Sequence, residues 1–375
     1  LPISRRLLAG LEERLSSASD TTSVARLLAG LHLELKAALQ SNDVVEARRA
    51  RTRIETVCDE AGEALMSPSS RTLEACSLAA YELYMESAED ALLRFDSLAS
   101  VEEETLPNEL RLMRLLVEGM AANHAACWTR SLACLEEHLR LARRHNDVIS
   151  QFHALNNLMC VSMDTGRWDE VDRIHREISD LTKVMPHICR ATLFPEMNYA
   201  EARFTQARYR EAIARLESVL DSLSDQEGTE DLELAAKCTL GLALLAAGER
   251  GRATEIWRGL PEESSDGLAG ITSRDQIVWF HAFMGWRDEP AAVSRRMEAV
   301  GEEDVASHRV AGLRILWLRD LFQSVEAGSV ETRDPEEGDA ARRLREIENG
   351  WFLRFSRRWL EAARTGAGSP VPAAT

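Results

Sequence analysis

The sequence predicts an all-α fold: a right-handed superhelical solenoid of antiparallel helix pairs. Three observations predict it. The chain is short of helix breakers, with 20 Gly and 10 Pro in 375 residues, where average usage of roughly 7% and 5% would give about 26 and 19. These two residues interrupt helices most strongly, so their scarcity favours helix. Small residues that suit turns recur at Ala126, Gly166, Ala207 and Gly248, spaced 40, 41 and 41 apart. Apolar residues make up 45% of the chain, enough to fill a core and too many for disorder.

The clearest repeat runs from Leu155 to Ile178, "LNNLMCVSMDTGRWDEVDRIHREI". A helix-period segment reaches a turn at Thr165-Gly166-Arg167, Trp168 follows, and a second amphipathic helix begins. The same order recurs around the other turns. Two residues past each turn stand Trp128, Trp168, Tyr209 and Arg250; five past it Ser131, Val171, Ala212 and Ala253; nine past it Leu135, His175, Leu216 and Trp257. Seven residues before the turn a small residue is allowed, and Gly119 and Gly241 take two of the four places. Two antiparallel helices approach closely only where a small residue lets their backbones meet. A large residue one turn away fills the groove, and the aromatic covers the junction. Each hairpin then leaves an apolar face that only the next can bury.

This pattern resembles the tetratricopeptide repeat, with the helix A pattern at Leu155 and Leu158 and the helix B pattern at Ala212 and Leu216. The usual period is about 34, whereas here it is 40 or 41. The longer period is similar to the solenoid of large ATP-binding LuxR-type regulators and related STAND-type signalling ATPases. The resemblance covers residues 113–260, extends to Leu73–Leu98 through Ala91 and Phe95, and to 29–54 through Ala47 and Ile54, and loosens beyond 270. It implies a TPR-like repeat array over 1–330, best defined over 73–260.

The remaining segments read as follows. Leu1 to Leu15 and Val24 to Leu39 are predicted helices, with an N-cap in Thr21-Thr22-Ser23. Further helices are expected over Ile271–Gly285, from Pro290, where proline suits a first turn, and over His308–Val325. The segment 331–363 is expected to be a C-terminal cap, its helix running from Ala340 to Ala363 with Trp351, Phe352, Phe355 and Trp359 along it. A second reading makes its "WFLRFSRRW" a docking site for another part of the protein. The Gly/Pro/Ala-rich tail 364–375 is expected to be disordered. Because the chain opens on Leu1 rather than Met, it is expected to be part of something longer.

Charge and composition exclude several classes. With 45 Lys+Arg against 62 Asp+Glu, the net charge is −17, which argues against nucleic-acid contact by this region, since phosphates need clustered cations. No run of about 18 apolar residues is long enough to span a membrane. The seven cysteines are odd in number and include no CxxC pair, so a reducing cytoplasm is the expected setting. Only three basic residues are lysines, Lys36, Lys183 and Lys237, a usage expected of a GC-rich bacterial genome. The acidic clusters, such as Asp225–Glu233 and Asp334–Asp339, read as solvated loops without the alternating oxygen ligands of a calcium loop.

The search for chemistry is negative. No Walker A sequence, GxGxxG, HExxH, GxSxG or kinase signature is present, and no cofactor or metal is expected. Asp172-x-x-His175 stands alone. His153, Asn156 and Cys160 share a helix face, but about 10 Å of helix rise separates Cys160 from His153, too far for proton transfer. The cysteines are read as small buried hydrophobes.

Counting back from the turns places Met113, Leu116, Met120 and Asn123 on the inner side of one repeat. The next two give His153, Asn156, Cys160 and Met163, then Phe194, Met197, Glu201 and Phe204. Lys and Arg are absent from these places. An apolar face with sparse polar groups suits an adaptable protein partner or a small-molecule effector. Asn123, His153, Asn156 and Glu201 are the candidate polar contacts, and Met120, Met163, Phe194 and Phe204 the candidate apolar lining. Packing of these residues as superhelix core is the competing reading, and a register shift of one residue would exchange inner for outer places. The expected function is non-catalytic: a binding sensor or scaffold module of a bacterial signalling or transcriptional regulator. The resemblance implies a flanking ATPase part and a DNA-binding helix-turn-helix. The alternative is a stand-alone adaptor or peptide receptor holding an amphipathic helix.

Overall fold

The computed structural model describes residues 21–40, 43–98, 105–184, 189–223, 229–260, 278–280, 283–284, 309–326, 338–347 and 349–365. Among them there is no strand, residues 278–280 and 283–284 are helical, and fifteen helices have described bounds: α1 (Thr21–Gln40), α2 (Val44–Leu65), α3 (Pro68–Met85), α4 (Ala88–Asp96), α5 (Asn108–His124), α6 (Trp128–Arg144), α7 (Val148–Asp164), α8 (Trp168–Val184), α9 (Cys189–Thr205), α10 (Tyr209–Leu223), α11 (Glu230–Ala246), α12 (Arg250–Arg258), α13 (Arg309–Glu326), α14 (Asp339–Glu346) and α15 (Trp351–Thr365). The fold is all-α, as the sequence predicts. The helices expected over Leu1–Leu15 and from Pro290, most of Ile271–Gly285 and the tail beyond 365 lie outside the described residues. Thr21-Thr22-Ser23, expected to precede α1, form its first turn instead.

All four predicted turn residues have left-handed backbone: Ala126 (φ 58°), Gly166 (φ 70°), Ala207 (φ 59°) and Gly248 (φ 85°). Each closes the same pair of hydrogen bonds. Ala126 N–H donates to Asn123 O at 2.9 Å and Cys127 N–H to Ala122 O at 2.7 Å; the matching bonds after Gly166 reach Met163 O at 3.0 Å and Ser162 O at 2.7 Å. Two otherwise orphaned carbonyls at each helix end are thereby satisfied, the Schellman arrangement. Asn146 (φ 53°) closes α6 in the same way. The residues five past each turn, Ser131, Val171, Ala212 and Ala253, are all fully buried.

The chain divides into two compact units, Leu1–Ala154 and Leu155–Thr375. In the first, serine and aspartate caps open the helices: Ser67 accepts from Ser70 N–H, Ser87 from Glu89 N–H, and Asp147 from Ser150 N–H at 3.0 Å. Leu28, Leu31 and Leu35 of α1 pack with Ala47 and Ile54 of α2 and with Leu78 and Tyr81 of α3. Ala91 and Phe95 join Ala121 and Ala122 of α5, so the small and large places inferred from the repeat lie in the core. Gly119 fulfils its predicted role. A Cβ there would stand 2.8 Å from Leu135 Cγ, and Ser131 Oγ donates to Gly119 O at 2.8 Å.

In the second unit, the hairpins continue from Leu155 of α7 to α12, and the C-terminal helices pack back on them. The single helix expected over 340–363 is two helices, α14 and α15, separated around Asn349-Gly350. Helix α15 crosses the C-terminal ends of three first helices in turn. Trp351 Nε1 donates to Asp164 O of α7 at 2.9 Å, Phe355 packs edge-on to Phe204 of α9 at 5.1 Å, and Trp359 Nε1 donates to Leu242 O of α11 at 2.9 Å. Gly241 serves this layer: the ring of Phe280 occupies the space a Cβ would need.

Alanine pays an αL cost of roughly 1–2 kcal/mol that glycine escapes, partly offset by about 0.4–1 kcal/mol of extra unfolded-chain freedom for glycine. Ala126→Gly and Ala207→Gly are therefore expected to raise stability by up to about 1 kcal/mol, whereas Gly166→Ala lowers it, its Cβ standing 3.0 Å from Trp351 Cδ1. Urea midpoints of the three variants check this. Burial also sets a pH dependence in the first unit. It lowers the pKa of His124 to about 4, and burial with the nearby Lys36 charge does the same for His32. Both imidazoles fold neutral, so their stabilisation is complete above the unfolded value near 6.5 and is lost as pH falls from 6.5 to 4. Each contributes up to about 3 kcal/mol. Stability measured across this window should fall, and His124→Gln should flatten the fall.

Candidate binding face

Helix α7, which belongs to the second unit from Leu155 onward, and α9 are successive first helices, and their facing sides carry the polar residues. Asn198, 8% exposed, donates through Nδ2 to Asn156 Oδ1 at 3.1 Å and to Cys160 Sγ at 3.4 Å. Asn156 and Cys160 are one turn apart on α7, and Asn198 is three residues before Glu201 on α9. Phe194, one turn before Asn198, is 49% exposed. The Asn156–Asn198 bond uses one end of each carboxamide. The other ends, Asn156 Nδ2 and Asn198 Oδ1, are a donor and an acceptor.

Burial, followed by the negative charges of Asp164 and Glu201, pushes the Cys160 thiol far above its ordinary pKa. It stays protonated at neutral pH, which is the opposite of what a nucleophilic cysteine needs. Among the described residues no group of three or more His, Cys, Asp or Glu side chains could hold a metal ion.

A second cluster anchors this face. Asp164 ends α7 and takes three hydrogen bonds from the C-terminal segment. Its Oδ1 accepts from Arg314 at 2.9 Å, and its carbonyl accepts from Asn349 Nδ2 and Trp351 Nε1. Arg314 also donates to Asn349 Oδ1 at 3.1 Å and lies 4.9 Å over the Phe352 ring. On the far side of α9, His175 stacks on Tyr199 with centroids 3.6 Å apart and bonds Glu196 at 2.9 Å. Arg203, almost fully buried, pairs with Asp172 and Glu211. Asp172 and His175 are thus part of the packing between α8 and α9.

The candidate residues fall into three groups. Asn156, Glu201 and Phe194 lie on these two helices around Asn198, with Asn156 half-buried and Glu201 buried. Asn123, Met120 and His153 belong to the first unit. There Asn123 is 6% exposed with Oδ1 lacking a hydrogen-bond partner, Met120 packs against the core, and His153 is exposed beside Phe152. Phe204 and Met163 need correction, since both are buried, Phe204 fully and Met163 at 8% exposure. Phe204 is covered by α15 and Trp279: it lies 5.8 Å from Trp279 and 5.1 Å from Phe355. Met197 is also buried, at 2% exposure, and Asn198 takes the place facing Asn156. The inner register of α9 is therefore read through 194, 198 and 201. Asn198 was legible only as a polar residue one turn from Phe194, whereas Arg314 and Asn349 carried no local signal.

No family model matches the chain, and no curated protein matches it in sequence. Among solved structures it is similar to a Rap protein complexed with Competence and Sporulation Factor, at a TM-score of 0.54 and 14% identity, over 91% of this chain and 98% of that one. This likeness shows a TPR-like helical repeat fold. No described helix is long and apolar enough to cross a membrane.

Arg314 and Asp164 form a well-shielded pair, their side chains 7% and 14% exposed. Removing the cation alone strands a carboxylate, at about 3 kcal/mol or more. Arg314→Met should therefore destabilise strongly, and Asp164→Asn added to it should recover part of the loss. Denaturant unfolding of both single variants and the double gives the coupling, and simple additivity would contradict the pairing.

Proposed function

We propose that the chain is a non-catalytic binding module that holds a partner segment in extended form along α7 and α9 of its second unit. The observation that carries this reading is the Asn156–Asn198 pair. A carboxamide offers a donor and an acceptor in the geometry of a peptide group, so two of them on successive helices can bracket a main chain without regard to its sequence. Phe194 beside them offers an apolar contact for a side chain. The Rap protein of similar fold, solved with Competence and Sporulation Factor, supports a ligand-holding role for such a repeat array. The high thiol pKa of Cys160 favours binding over chemistry.

The extended form is favoured over an amphipathic helix by the position of α15. Its residues Phe352, Phe355, Ser356 and Trp359 recur at the spacing of a helix laid in a groove, and they already cover the ends of α9 and α11. In the wider reading the module is the sensor or scaffold of a bacterial signalling or transcriptional regulator, with a protein or small-molecule effector shifting it between states. Cytoplasmic placement belongs to the same reading.

The test is selection of peptides from a random library on the purified chain, followed by titration of the selected sequences. Asn156→Ala with Asn198→Ala should weaken them at least tenfold, about 1.4 kcal/mol, while the thermal midpoint moves little. Selected peptides bound equally well by the double variant would place the site elsewhere.

A further inference from the structure

Helix α15 buries one side and presents another. Between Asn349 and Thr365 there are four arginines and a single carboxylate, Glu361, in a chain whose net charge is −17. Trp351, Arg354 and Arg358 are spaced i, i+3 and i+7 and so share one side of the helix. Trp351 leans on Gly166 and lies 5.0 Å from Trp168, edge to face. One turn further on, Phe355 packs on Phe204 at 5.1 Å, and Phe204 on Tyr209 at 6.1 Å. The side bearing Arg354 and Arg358 therefore follows the edge where the hairpins turn, from Gly166 to Tyr209.

That edge adds arginines of its own. Arg167, Arg208 and Arg210, beside the two turns, are exposed, as are Arg354 and Arg358. The nearby carboxylates are largely engaged: Glu170 by Arg173 at an ion-pair contact, and Glu211 by Arg208 at 2.5 Å and Arg203 at 3.2 Å. Asp169 remains exposed among them. Fixed carboxylates interleaved with the arginines break the field that a continuous polyphosphate would follow. What remains suits discrete carboxylates approached by planar guanidinium forks.

We propose that the outer side of α15, with the turn edge beside it, is a docking strip for an acidic protein segment, with Arg354 and Arg358 as its principal contacts. Charge complementarity supplies the specificity. Single exposed pairs contribute little, so the partner must engage several arginines together.

The experiment titrates the full chain into a fluorescein-labelled peptide of twelve glutamates, a Gly/Ser peptide of equal length and a 20-base-pair DNA duplex, read by fluorescence anisotropy at low salt. The glutamate peptide should bind and the Gly/Ser peptide should not. Charge reversal by R354E with R358E should weaken the glutamate peptide at least tenfold, as should raising the salt to 300 mM. R49E, at an exposed arginine of α2, should leave it unchanged, and the melting curves of both variants should match the parent. Absence of binding, equal binding by the R354E/R358E variant, or equal loss with R49E overturns the proposal. Tighter binding of the duplex than of the glutamate peptide would assign the strip to nucleic acid and overturn it as well.

Discussion

Each described hairpin from α5 to α12 depends on one residue held in left-handed backbone. At Ala126, Gly166, Ala207 and Gly248 the chain reverses within about three residues, and the paired turn bonds fix the direction in which the second helix leaves. That direction brings the residue five past the turn against the residue seven before it, the place where a small side chain is needed. Gly119 lying under Ser131 and Leu135 is the clearest instance. The helices themselves are ordinary. The constraint lies in closing them at the right angle, and two of the four turns accept the cost of alanine to do so.

The second unit adds a constraint that the repeat does not contain. Helix α15 meets the ends of α7, α9 and α11 in order, and its indole N–H groups donate to carbonyls of two of them. The last carbonyls of a helix lack intrahelical donors, and Asp164 shows how this need is met: Asn349 and Trp351 supply donors while Arg314 balances the carboxylate. Aromatic edges fill the remaining space, with Trp279 touching Phe352, Phe355 and Trp359 at once. A layer so well buried ties the C-terminal ends of α7, α9 and α11 to one another.

What could be read from the sequence follows from how local each constraint is. Turn residues, small contact positions and helix type depend on neighbours within one hairpin, and the spacing of 40 or 41 exposed all of them. Ala91, Phe95, Ala47 and Ile54 lie in the core for the same reason. The facing side of α9 was less legible, because neighbouring residues on a helix differ by about 100° and both Met197 and Asn198 are plausible inward residues. Phe204 was misread for a different reason. Nothing in its own repeat shows that Trp279 and Phe355 cover it. Arg314 and Asn349 act on Asp164 from 150 and 185 residues away, a distance at which no periodic pattern carries information.

The two faces proposed for the second unit differ in what they can recognise. On α7 and α9 the groups are neutral amides beside a protonated thiol and an exposed phenyl ring. Such groups match a main chain and an apolar side chain, and their hydrogen bonds are little affected by salt. On α15 and the turn edge the groups are guanidinium ions in water, whose attraction is long-ranged but screened within about 10 Å at 0.1 M salt. On a chain with a net charge of −17, a strip of exposed arginines offers an acidic partner local attraction against an unfavourable net charge. Concentrating them on one edge therefore raises both attraction there and discrimination against other approaches. The amide face selects by shape and backbone geometry, the arginine strip by charge, and ionic strength separates one from the other because only the second should respond to it.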